Sequence, residues 1–228
     1  WPGVYGGNSS RKNLIASCNA SLKRTGLEYF DVFYSHRYDG VTPIEETMQA
    51  LIDIVRSGKA LYAGISKYPP KEQERAYRIL SEAKVPCLVS QYRYSMFDTD
   101  SAKNNFDVAA SNGSGITVFS PLAQGLLTDK YLHGIPANSR AAKSTGFLQL
   151  SQVTDEKIAK ARKLNDIAAR RGQTLAQMAI AWILNDKRVT SVIIGASSVN
   201  QLLANLQALD APSFSPEELK TIASVLGE

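Results

Sequence analysis

Two hydropathy rhythms alternate along the chain. Ser9 or Ser10 caps a first helix, in which Leu14, Ile15, Cys18 and Leu22 recur at helical spacing up to Gly26. A dense apolar run over 29–35 then reads as a strand. Thr42, Pro43 and Glu45 mark a capped helix start, with Ile44, Met48, Leu51, Ile52 and Val55 as its apolar stripe and Gly58 as its end. The same alternation predicts strands over 60–66, 87–92, 116–120 and 189–195 and helices over 71–83, 102–111, 155–171 and 199–209. Met178, Ile180, Trp182 and Ile183 pattern a further packed helix, and 131–150 reads as a long mobile loop. Strands that alternate with helices and lack hairpin signals are parallel, with helical crossovers.

The strand sequences FDVFYS, ALYAGIS, CLVSQY, GITVFS and VTSVIIG are nearly continuous apolar runs, as expected of strands buried on both faces. Each run ends in polar groups: His36, then Ser66 with Lys67, then Gln91, Ser120, and Gly195 through Ser197. Polar side chains delivered by successive strand ends describe the catalytic face of a (β/α)8 TIM barrel. A Rossmann sheet would carry G-x-G-x-x-G between strand and helix, whereas Gly113-Ser114-Gly115 precedes a strand and lacks the third glycine. The 228 residues read as one domain over 1–228, the C-terminal portion of such a barrel.

Charge narrows the ligand class. The net charge is +5, but the 26 Lys and Arg residues are dispersed among 21 Asp and Glu, which favours a small anion over a nucleic acid. Cys18 and Cys87 are too far apart in sequence to suggest zinc and read as buried thiols in a reducing compartment. No apolar run reaches the roughly 20 residues that span a bilayer. The expectation is a soluble cytoplasmic protein with no membrane or nucleic-acid partner; a homo-oligomer is left open.

Four segments carry a family resemblance: 26–36 (GLEYFDVFYSH), 58–66 (GKALYAGIS), 119–128 (FSPLAQGLLT) and 194–197 (IGAS). In order and spacing they resemble the aldo-keto reductases, within the bacterial branch that includes L-glyceraldehyde 3-phosphate reductase and relatives of the potassium-channel β subunits. The resemblance implies reduction of a small carbonyl substrate, an aldehyde or ketone, by direct hydride transfer from NADP(H), without metal. Ser66 and Gln91 match positions that hold the nicotinamide carboxamide, and Phe119 the ring that stacks on the nicotinamide. Ser120, Leu122 and Gln124 match the pyrophosphate loop, and Lys130 and Arg140 match basic positions over the cofactor. Gly195, Ser197, Gln201 and Asn205 match the adenine and 2′-phosphate end, where a helix N-terminus favours an anion. Lys67 stands where many members have Asn, and Ala204 where many have Glu.

His36 matches the histidine of the family's catalytic tetrad, which donates a hydrogen bond to the carbonyl being reduced. The accompanying Asp, general-acid Tyr and Lys are expected from the first three strands, ahead of the loop-like opening Trp1-Pro2-Gly3; at roughly 30 residues per βα unit these amount to about 90 residues. Five strands alone leave a barrel open, with two edges exposed. An alternative of the same fold is a catalytically impaired NADPH-binding or regulatory barrel. His133 reads as an ordinary loop residue, and Arg162, Lys163, Arg170 and Arg171 read as the solvated face of the helix over 155–171.

Overall fold

The computed structural model describes residues 5–136 and 148–227. The chain divides into two compact units, one of 1–92 with 101–117 and one of 93–100 with 118–228. Neighbouring strands of the sheet follow the chain in the order β1-β2-β3-β4-β5.

In the first unit, α1 (Arg11–Thr25) begins at Ser10, whose side chain accepts the Asn13 N–H, and ends at Gly26 in the left-handed region with φ 71°. Its Leu14 and Cys18 pack with Ala50, Ile54 and Ala60 in one core cluster. Strand β1 (Phe30–Ser35) pairs in parallel with β2 (Ala60–Ser66), and Tyr34 lies opposite Gly64. Glycine is required there: a Cβ at residue 64 would stand 2.7 Å from two Tyr34 ring atoms.

Helix α2 (Ile44–Arg56) buries Ile44, Met48, Leu51, Ile52 and Ile54. It is not capped by Thr42. Pro43 occupies the cap position, and the Thr42 hydroxyl instead donates to Asp39 Oδ2 at 2.7 Å. Glu45 and Glu46 in the first turn face the positive end of the helix dipole. After α3 (Pro70–Glu82) and β3 (Cys87–Arg93), the single helix expected over 102–111 is broken in two, α4 (Asp100–Asn104) and α5 (Phe106–Ser111). The break falls at Asn105, whose side-chain amide is committed to Gln73 and to the Tyr68 carbonyl.

Strand β4 (Gly115–Phe119) crosses from the first unit into the second. There Ile193 N–H donates to the Val118 carbonyl at 2.8 Å and seats β5 (Ser191–Val192). The strand expected over 189–195 is this short because Asp186 takes the preceding residues into a turn, accepting the Arg188 N–H on its side chain and the Val189 N–H on its carbonyl. Helices α6 (Asp155–Arg170), α7 (Leu175–Asn185) and α9 (Pro216–Leu226) start at Thr154, Thr174 and Ser215, the last two with reciprocal capping boxes. Between α7 and α9 lies α8 (Val199–Leu206). Leu127, Leu164, Met178 and Ile222 belong to the core of this unit, and Trp182 packs on Tyr94 with ring centroids 5.4 Å apart.

Two further expectations are revised. The strands are not buried on both faces: Leu61, Tyr62 and Leu88 are exposed. Nor is Arg171 a solvated helix residue. Its side chain is 7% exposed, pairs with Glu218, donates to the Ala211 and Ser213 carbonyls and lies 3.8 Å from the centroid of Phe214. Among the described residues no helix is long and apolar enough to cross a membrane, and no three His, Cys, Asp or Glu side chains gather as a metal site.

Candidate functional site

Each βα junction of the first unit presents one or two of the candidate residues. His36 follows β1, Ser66 and Lys67 close β2, and Gln91 lies near the end of β3. The last three are tied together: the Ser66 hydroxyl donates to the Gln91 carbonyl at 2.9 Å, and the Lys67 N–H donates to the same oxygen at 3.2 Å. Lys67 is held in the left-handed region at φ 57°, which costs a non-glycine residue on the order of 1 kcal/mol.

His36 is exposed on its outer side. Partial burial, then the cations of Lys67 and Arg37, hold its pKa below the ordinary histidine value, so the neutral imidazole is favoured at pH 7. A neutral ring with an N–H can donate a hydrogen bond to a carbonyl without adding charge. The loop after it is fixed by Asp39. Burial alone would raise the pKa of that carboxyl, but the N–H groups of Ser9, Val41 and Thr42 and the Thr42 hydroxyl all donate to it and bring it to about 2. Tyr34, Tyr68, Tyr77 and Tyr92 all have raised pKa values, with burial the first cause and Tyr68 at about 12, so none of them is tuned as a proton donor near neutrality.

In the second unit a cavity of about 480 Å³ opens beside the end of β4 and the start of α8. That volume lies within the usual range for small-ligand sites. Ser120, Leu122, Gln124 and Lys130 line one part of it, and Gly195, Ser197 and Gln201 another. Seven residues picked from sequence thus meet in one space. Phe119 and Asn205 are not among its lining residues, and Arg140 lies outside the described residues. Sequence reasoning left out Thr128, Tyr131 and Ile193, which also line it; Thr128 stands within the motif over 119–128, so the signal was at hand.

The backbone here is strained. Ser120, Ala123 and Gln124 all have positive φ (59°, 46° and 61°), three of the five non-glycine residues in that state among the described residues. Gln124 Nε2 donates to Ser120 Oγ at 3.1 Å across the turn. In proteins generally, strain of this kind clusters at functional sites. On the other side, Ser198 Oγ accepts the Gln201 N–H and caps α8, while the Ser197 N–H and hydroxyl both donate to Gln201 Oε1. Gln201 Oε1 is thereby engaged, which leaves the side-chain NH₂ as a donor, beside the first-turn N–H groups of a helix N-terminus.

This donor set fits a phosphorylated dinucleotide. Among the described residues the lining contributes hydroxyls, amide groups and one charged side chain, Lys130, with no carboxylate to repel an anion. A Cβ on Gly195 would meet nothing within 4 Å, so the backbone there faces open space into which a ligand can approach. Of the four buried side-chain polar atoms that lack partners among the described residues, two lie here: the hydroxyl of Tyr131, in the cavity lining, and Nδ2 of Asn205, one turn beyond Gln201 on α8.

Residues 1–226 match the model of the aldo/keto reductase family. The chain belongs to that family. An L-glyceraldehyde 3-phosphate reductase of Escherichia coli O157:H7 is 49% identical over 226 residues, an alignment covering 97% of this chain and 65% of the reductase. A probable voltage-gated potassium channel subunit beta of Oryza sativa subsp. japonica is 37% identical, over 95% of this chain and 68% of that protein. The crystal structure of a thermostable aldo-keto reductase in complex with the inhibitor epalrestat superposes with a TM-score of 0.73 at 26% identity, covering 96% of this chain and 68% of the other. The chain therefore spans about two thirds of the length of these aldo/keto reductase relatives. Its fold is the aldo/keto reductase (β/α)8 type: the five strands follow barrel order and, among the described residues, do not close into a ring.

Proposed function

We propose that this chain is the cofactor-binding portion of an NADPH-dependent oxidoreductase that reduces small aldehydes or ketones. The observation that carries the reading is the cavity between the strained Ser120–Gln124 turn and the α8 N-terminus, in which Lys130 is the one charged side chain among the described residues. Bound NADPH would supply a hydride to the carbonyl carbon. Within the chain, Ser120, Gln124 and Lys130 would hold the pyrophosphate, and Ser197, Gln201 and the first turn of α8 the adenosine phosphate. Ser66 and Gln91 would orient the nicotinamide amide. His36, kept neutral, would donate to the substrate oxygen and stabilise the charge that develops there.

The raised pKa values of Tyr34, Tyr68, Tyr77 and Tyr92, which leave these four unsuited to deliver the proton, support a second reading, a nucleotide-binding regulatory barrel. Titration with NADPH and NADH, followed by intrinsic fluorescence on protein of known mass, tests the binding step. Consumption of reduced nicotinamide with small aldehydes then separates the readings. Saturable NADPH binding with turnover supports the reductase, binding without turnover the regulatory barrel, and no binding refutes both.

A further inference from the structure

Behind the strand ends of the first unit runs a chain of buried polar groups that the proposed function leaves unused. Ser35 Oγ and the Tyr68 hydroxyl are 2.8 Å apart. The Tyr68 carbonyl accepts Asn105 Nδ2 at 2.9 Å, and the same amide donates to Gln73 Oε1. Gln73 Nε2 donates to the Tyr77 hydroxyl at 2.8 Å, which stands 2.6 Å from Ser90 Oγ. All six residues are buried, with Ser35, Gln73 and Ser90 at 0% exposure.

The placement of the chain is what gives it meaning. Ser35 is followed by His36, Tyr68 is preceded by Lys67, and Ser90 is followed by Gln91. The network therefore touches the immediate chain neighbour of a candidate site residue at β1, β2 and β3 alike. Lys67 adds a second argument, because its left-handed φ of 57° persists only if the surroundings over-determine it. They do so from two directions: its own N–H is bound to the Gln91 carbonyl, and the next residue, Tyr68, is fixed through both hydroxyl and carbonyl. A satisfied buried network is stiffer and more exacting in geometry than an apolar core of the same volume.

We propose that Tyr68 and Asn105 are positioning residues, whose buried network holds His36, Lys67 and Gln91 in fixed mutual positions. The inference rests on the proposed function only for what those three residues do. The test uses the full chain, which has just two histidines, so the ring signals of His36 and His133 can be followed separately by NMR. Tyr68→Phe removes one oxygen and keeps the ring. It is expected to move the His36 signal and to bring its titration, set in part by the facing charges of Lys67 and Arg37, closer to ordinary histidine, with His133 unmoved. NADPH affinity is expected to fall on the order of tenfold. Ser35→Ala, which removes the other hydroxyl, should move the same signal and serves if Tyr68→Phe does not fold.

The double variant Ser35→Ala/Tyr68→Phe leaves neither partner unsatisfied and should regain thermal stability, yet its His36 signal should stay displaced. A His36 signal that is unchanged in the single variants, or that returns with stability in the double variant, overturns the proposal and reduces the network to packing. Failure of the unaltered chain to bind NADPH would refute the proposed function instead, while the histidine readout would still decide the network.

Discussion

Asp39→Asn puts a number on the knot that follows His36. The carboxylate accepts four hydrogen bonds, two per oxygen, from Ser9, Val41 and Thr42, and the Ser9 hydroxyl in turn donates to the Arg37 carbonyl. An amide replaces one accepting oxygen by an NH₂ that faces donors. The carboxyl pKa falls from 3.8 in an ordinary aspartate to about 2, although burial by itself would raise it. That difference corresponds to about 2.4 kcal/mol, and because the group is partly open to solvent, about half of it, near 1.2 kcal/mol, is the expected contribution.

The sign follows from the depressed folded pKa. Between pH 4 and pH 2 the unfolded chain binds the proton more readily, so this contribution is fully present above the unfolded value and is lost as pH falls toward 2. Urea unfolding followed by tryptophan fluorescence at pH 7 and at pH 3 is the assay. The unaltered chain should lose more stability between the two conditions than the variant does, and the variant should be weaker at pH 7. Equal stability at pH 7, or an identical loss on acidification, would refute the reasoning.

Gly64→Ala places a methyl 2.7 Å from the Tyr34 ring and should lower stability by about 1–3 kcal/mol, read as a fall in thermal midpoint, with partial recovery in Gly64→Ala/Tyr34→Leu. Gln124→Gly releases a left-handed non-glycine residue and deletes the bond to Ser120, so thermal stability should hold or rise by about 0.5–1 kcal/mol while fluorescence titration shows weaker NADPH binding. Lys67→Met removes one of the cations that depress His36; its NMR titration midpoint should rise yet stay below the usual histidine value, because burial is the larger cause. Arg171→Lys keeps the charge but not the planar fork that reaches Glu218 and two carbonyls, and should cost about 2–4 kcal/mol in denaturant unfolding.

The sequence made the strand-helix alternation readable because the apolar runs end abruptly in polar residues. β2 falls on the expected 60–66, and α1 ends at the glycine that can take a left-handed turn. Seven cavity-lining residues were legible because they cluster in two short segments, one after β4 and one around the start of α8. Boundaries set by long-range hydrogen bonds were not. The break at Asn105 depends on Gln73 and Tyr68, more than 30 positions away, and the shortness of β5 depends on a turn around Asp186. Arg171 looked like a surface helix residue because periodicity says which face a residue occupies, and says nothing of a distant loop folding over that face. The strained backbone of Ala123 and Gln124 had no signature either, since neither residue type announces a left-handed turn.

The Arg171 cluster also bears on the time course of synthesis. Its partners lie 40, 42 and 47 residues further along the chain. At a translation rate of 5–20 residues per second the last of them is made roughly 2–9 s after the arginine itself. For that interval the guanidinium has neither Glu218 to neutralise it nor the two carbonyls to receive its hydrogens, and it must remain hydrated. The α6–α7 pair can form early from its own apolar faces, but the corner where α9 docks is completed only when α9, with Glu218, has emerged.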